Sequence, residues 1–187
     1  MGNWYKNITV RGPQQAEIAA ALAKHGRRCY LTPTRDAVTV VFDHRSDEEG
    51  DPRELGDLAL TLSSDLACPA LAAAVFDDDV LLLALYDAGQ QLGEYNSAGA
   101  STLSAAALVR AFRAPRRAAI VWLLLESPRL PLFMFESFRH RLLLRALGQP
   151  PWAFATGYRY IEKGEPPEDL GTAELRHVDG SHPGAGG

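Results

Sequence analysis

Residues able to do chemistry stand together at one point, where Glu94, Tyr95, Asn96 and Ser97 end an alternating stretch and precede a helix-like one. Polar groups at a strand end, where sheet gives way to helix, are placed to line a cleft. Glu94 there is a candidate base or a partner for a cationic group. Asn96 can orient a polar ligand, and Ser97 can instead cap the next segment. A ligand-binding reading over Glu94, Tyr95, Asn96 and Ser97 and a turn-and-cap reading both stand on these four residues.

The second cluster is Asp77-Asp78-Asp79. Neighbouring carboxylates can converge on Mg²⁺ or Ca²⁺, so the triplet is a candidate site for a hard cation. Consecutive side chains in a tight turn tend to diverge, however, and aspartate favours turns because it bonds its own backbone. Phosphate-wrapping, dinucleotide-binding and common zinc motifs are all missing from the chain, and neither Ser97 nor Ser101 has the flanking glycines of a nucleophile elbow. No cofactor and no catalytic residue is therefore assigned. Cys29 and Cys68 read as reduced, partly buried thiols. His140, four residues after Glu136, reads as half of a Glu–His pair on a helix surface.

Charge is segregated. Residues 1–100 carry 15 acidic against 8 basic groups, and residues 101–187 carry 8 against 11, which yields the net charge of −4. Arg110, Arg113, Arg116 and Arg117 crowd the start of the second part, and aromatics including Phe133 and Phe138 follow. Such a segment can bind nucleic acid or an acidic partner, or dock on the chain's own acidic part. The acidic overall balance disfavours nucleic acid. Arg110, Arg113, Arg116, Arg117, Phe133 and Phe138 are thus a candidate interaction surface.

The elements that must position these groups follow from periodicity. Residues 3–11 alternate as a strand, with Lys6 expected at a sheet edge. Gly12-Pro13 opens a helix closed near Gly26. Residues 28–32 and 37–43 read as a hairpin. Asp51-Pro52-Arg53-Glu54 starts a second helix with Leu55, Leu58, Leu62 and Leu66 on its buried stripe. Residues 70–76, 80–86 and 91–95 read as three strands of a meander, turning at Asp77-Asp78 and Asp87-Ala88-Gly89. Helices are expected over 101–112, 118–125 and 131–147, with Leu132, Phe135, Leu142 and Leu143 on a core face. Trp152 to Ile161 is aromatic enough to pack back on the body, and a loose tail is expected from about 171. The fold class is α+β: an antiparallel or mixed sheet in ferredoxin-like βαββαβ order with an extra hairpin, then a helical C-terminal segment. In domain terms this is a sheet domain over 1–100, a helical segment over 101–170 packed on it, and a flexible tail over 171–187.

With 187 residues, 47% hydrophobic and 22% charged, the chain can bury one substantial core without metal or disulfide. Its longest apolar run, Ala118 to Leu125, is too short to span a bilayer, and no signal pattern opens the chain, so a cytoplasmic protein is expected.

The blocks Trp4-Tyr5-Lys6-Asn7-Ile8-Thr9-Val10, Cys68-Pro69-Ala70-Leu71-Ala72, Asp77-Asp78-Asp79-Val80-Leu81, Glu94-Tyr95-Asn96-Ser97 and Gly157-Tyr158-Arg159-Tyr160-Ile161-Glu162 resemble a group of bacterial proteins with the same block order, over about residues 4–97 and 152–167. The resemblance implies no activity. Small domains of this kind suggest accessory or immunity proteins that act by binding another protein. The expected function is a non-catalytic protein-binding module. The alternatives are a small-molecule binder or hydrolytic enzyme with a cleft at the sheet-to-helix junction, and an accessory nucleic-acid binder through the arginines. The expected partner is another protein. A homodimer is open, nucleic acid is disfavoured and no membrane is expected.

Overall fold

The computed structural model describes residues 2–48, 52–126 and 135–180. Among these, seven strands form one antiparallel sheet, with seven α-helices around it. The chain runs β1 (Tyr5–Arg11), α1 (Gln15–Lys24), β2 (Cys29–Leu31), β3 (Val38–Asp43), α2 (His44–Glu48), α3 (Pro52–Leu66), β4 (Pro69–Phe76), β5 (Val80–Asp87) and β6 (Gln90–Asn96). It continues with α4 (Ala105–Ala111), α5 (Ala118–Glu126), α6 (Glu136–Ala146), α7 (Tyr158–Glu162) and β7 (Arg176–Val178). The strand order is β6-β5-β4-β1-β3-β2-β7.

The hairpins form where the sequence supplies residues that tolerate positive φ. Asp77 and Asp78, at φ 51° and 60°, turn β4 into β5; Ala88 and Gly89, at 47° and 77°, turn β5 into β6. Two successive positive φ values give the type I′ twist that matches antiparallel strands. A bulge between Leu85 and Tyr86 shifts the β5–β6 register. Next to it Gly93 is indispensable, because a Cβ there would lie 2.7 Å from the Leu103 backbone as residues 102–103 cross to bond the Glu94 carbonyl.

The sheet is covered on both faces. On one, α1 and α3 bring Ile18, Leu22, Leu55, Leu58 and Leu62 onto Ile8, Val10, Val41, Ala70 and Ala72. On the other, α4, α5 and α6 pack Leu108, Val121, Leu124 and Leu143 against Tyr5, Leu71, Leu83 and Tyr95. Beside them Trp152, Tyr158 and Ile161 cover Val40 and Phe42. Strand periodicity of two sorts side chains onto these faces, so each face receives its own core.

Several sequence expectations are corrected. Lys6 is not at an edge: β1 lies between β4 and β3, and Lys6 is 1% exposed. Its Nζ donates to the Ser46 carbonyl at 2.8 Å and lies over the Phe76 ring, which lets a buried ammonium persist. The sheet holds one strand more than expected, because Arg176–Val178 pairs with β2 inside the stretch read as a loose tail. The helix expected from 101 begins only after Ser104, whose side chain accepts from the Ala107 amide. Of the helix expected over 131–147, residues 131–134 lie outside the described residues, and Phe135 is extended, so α6 starts at Glu136. The short α2 was not anticipated. No helix among the described residues is long and apolar enough to cross a membrane.

Candidate functional site

The composition of α5, AAIVWLLLE, leaves it no polar side to turn toward water. Packing takes Val121, Leu124 and Leu125 into the core, and Ile120, Trp122 and Leu123 remain 44%, 57% and 48% exposed. At the start of α6, Phe135 and Phe138 are 54% and 46% exposed. Among the described residues only Trp4 and Leu60 are comparable large apolar side chains in the open. Arg110, Arg113, Arg116 and Arg117 are all exposed, at the end of α4 and in the turn before α5. Phe133, expected on the same surface, lies outside the described residues.

The first turns of α6 are inside-out. Glu136, Ser137, Arg139 and His140 are buried, while the neighbouring phenylalanines face solvent. Burying such groups is costly unless each is paired. Glu136 and Arg139 form an ion pair at 2.9 Å, and Arg139 donates Nη1 to the Leu124 carbonyl at 2.8 Å, which ties α6 to α5. His140 is fully buried with Nδ1 2.9 Å from the Tyr5 hydroxyl. This corrects the surface Glu–His pair: Glu136 bonds Arg139, and His140 turns to the sheet. It also corrects the expected core face, in which Phe135 was to be inside.

Asp78 anchors the same helix. Its carboxylate accepts from the Asn3 amide at 2.8 Å and from the Asn3 side chain, and it takes backbone and side-chain hydrogen bonds from Ser137. Its carbonyl accepts from the Glu136 amide at 2.8 Å. Burial alone would raise the Asp78 carboxyl, but the Ser137 and Asn3 hydrogen bonds outweigh it and hold the group below its ordinary value. Asp77 accepts from the Gly2 amide. The three aspartates thus do not converge, and no group of three metal-ligating side chains is found among the described residues.

Glu94, Tyr95, Asn96 and Ser97 separate by strand alternation. Glu94 and Asn96 line a groove of about 530 Å³ with Arg53, Gly56 and Asp57 of α3, Tyr86 of β5 and Gln91 of β6. Tyr95 also borders this groove, but its ring goes to the opposite face and joins the core with Leu103 and Leu108. Ser97 Oγ accepts the Leu81 amide at 2.9 Å, a sheet-end bond rather than a helix cap. Asn96 accepts the Ala98 amide in a local turn, and Glu94 accepts from Gln91 at 2.7 Å. Tyr86 is pushed above its ordinary value by burial first and then by the charges of Glu94 and Asp57. Asp57, Tyr86 and Gln91 carry no local signal that would join them to this site, since only tertiary contact of α3 with β5 and β6 unites them. The all-round apolar character of α5, by contrast, is a readable signal that apolar side chains stay exposed on it.

The thiols are inert in position: Cys29 is raised by burial and by Asp43, and Cys68 is pushed up to about 11, chiefly by burial. Comparison with family models, curated proteins and solved structures finds no match to the chain.

Proposed function

We propose that the chain is a non-catalytic protein-binding module that docks through the outward face of α5 and the start of α6, as an accessory or immunity-like protein of the cytoplasm. The observation that carries this reading is the inversion at α6: Glu136, Arg139 and His140 are buried while Phe135 and Phe138 are exposed, as are Ile120, Trp122 and Leu123 of α5, the helix packed against it. Exposed apolar side chains gathered on two adjoining helices mark an interaction surface in a folded protein. Aromatic anchors with arginine on the border are the composition of binding hot spots.

The arginines define the partner. Arg110, Arg113, Arg116 and Arg117 complement a protein whose apolar pocket is bordered by carboxylates, and their field steers association. A second copy of the chain joined face to face would set these arginines against one another, so a different protein suits the surface better. The neighbours β4-β1-β3-β2, joined through α1 and α3, support reading the centre of the sheet as a ferredoxin-like unit extended by β5, β6 and β7.

A photo-crosslinking residue placed at Trp122 or Phe138, with Leu60 on α3 as the exposed control, tests the proposal in host extract. One protein crosslinked from 122 and 138 but not from 60, and lost in R113E/R116E, supports it. Equal crosslinking from all three positions, or none from 122 and 138, overturns it.

A further inference from the structure

A second concave surface lies on the α3 side of the sheet, away from α5 and α6. Its floor is the small-residue patch Ala72, Ala74 and Ala84 with Leu82, whose short side chains leave depth beside α3. Gly56 keeps one wall close, since a Cβ there would stand 2.9 Å from the Tyr86 hydroxyl. The resulting volume of about 530 Å³ is that of a small-molecule site.

We propose that this groove binds an organic cation, a primary ammonium or guanidinium group on a short apolar body, held between Asp57 of α3 and Glu94 of β6. The polar rim is rich in acceptors. Among the described residues the Asp57 carboxylate makes no hydrogen bond or ion pair, and the Glu94 carboxylate accepts only from Gln91 through Oε1, leaving Oε2 for a donor. Arg53 also lines the rim and already has an interaction of its own within the chain. Two carboxylates against the one guanidinium of Arg53 leave the rim net negative, a potential that favours cations over anions. The alanine floor takes the apolar body, and the Tyr86 hydroxyl sits at the wall beneath Gly56. The site is independent of the docking surface, because it uses the other face of the sheet.

Calorimetric titration of the full chain with agmatine and with benzylamine tests the inference, with n-butyrate as the anionic control. Saturable one-to-one binding of an amine and no binding of butyrate is expected. D57N and E94Q, both exposed positions that leave the fold intact by circular dichroism, each weaken binding at least about tenfold, as loss of a charge-assisted hydrogen bond does. The A84F variant, which fills the floor, removes binding. Absence of saturable binding by both amines, equal affinity for butyrate, or affinity unchanged in both D57N and E94Q overturns the proposal.

Discussion

Tyr5 and His140, 135 positions apart in sequence, meet in the interior with hydroxyl and Nδ1 2.9 Å apart and their rings stacked at a centroid separation of 5.8 Å. The pair fixes α6 to the central strand β1, and so determines which side of α6 faces the solvent. Nε2 of His140 has no hydrogen-bond partner among the described residues, so the imidazolium, which must donate from both nitrogens, has no place for its second proton.

Stability should therefore fall with mild acid. Burial lowers His140 from 6.5 to about 4. Between these values the unfolded chain takes up a proton that the folded one refuses, so the contribution is fully present above pH 6.5 and is lost as pH falls toward 4. The loss is about 3 kcal/mol at most. Urea denaturation at pH 7.5, 5.5 and 4.5 should show it in the wild type and show a flatter profile in H140Q. An unchanged slope in H140Q would contradict the assignment. Asp43 and Asp78, whose folded values are lowered, act below this window.

Arg27 should be far more costly to remove than a surface arginine. It donates Nε to the nearly inaccessible Asp43 at 3.0 Å and also bonds Glu54, joining β3 to α3. Burial would raise the Asp43 carboxyl, but Arg27 and Ser46 outweigh it and hold it low. R27A leaves a buried unpaired carboxylate and should destabilise by about 3–5 kcal/mol, while R45A or R28A changes stability by less than about 1 kcal/mol. Chemical denaturation of the three variants measures the difference.

The strands were legible because their signals are local. Val80 to Leu85 is continuously apolar and becomes the inner strand β5, and Asp77-Asp78 and Ala88-Gly89 hold the turns they suggest. What escaped is long-range. Lys6 alternates as an edge residue would, and only its placement between β4 and β3 buries it. Strand β7 is three residues with one buried side chain, Val178, too little for a period to show. The inward face of α6 depends on Tyr5 and Asp78, neither near it in sequence. Of the candidate site residues, Glu94, Tyr95 and Asn96 all line the groove, although the Tyr95 ring is buried in the core with Leu103, and Ser97 is not part of the lining. The arginines are exposed, and the apolar residues of α5 that share this exposure, Ile120, Trp122 and Leu123, lie outside the interaction surface expected from the sequence.

Asp78 should act as a cap and not as a metal ligand. D78A removes the acceptor of Asn3 and Ser137 and should cost about 1–2 kcal/mol, the usual effect of losing a helix cap. D79A, at an exposed position, should be near neutral. Thermal melts with Ca²⁺, Mg²⁺ or EDTA should coincide. A metal-dependent shift that disappears in D78A would reverse the reading.

Exposed and buried residues of α5 should respond in opposite ways. L123E should change stability by no more than about 0.5 kcal/mol, the range of surface substitutions. L124A, one residue on, should cost about 2–5 kcal/mol as a core truncation. Equal losses would mean that the outward face is covered within the chain itself.

The most direct measurement compares affinity-purified wild type with the variants W122E/F138E and R113E/R116E, from the native host, by quantitative mass spectrometry and light scattering of the eluted complex. A single partner at fixed stoichiometry, reduced at least about tenfold by either double variant and unaffected by D57N/E94Q, is the predicted result. A folded W122E/F138E variant that retains the same partner at the same stoichiometry would contradict docking through α5 and α6.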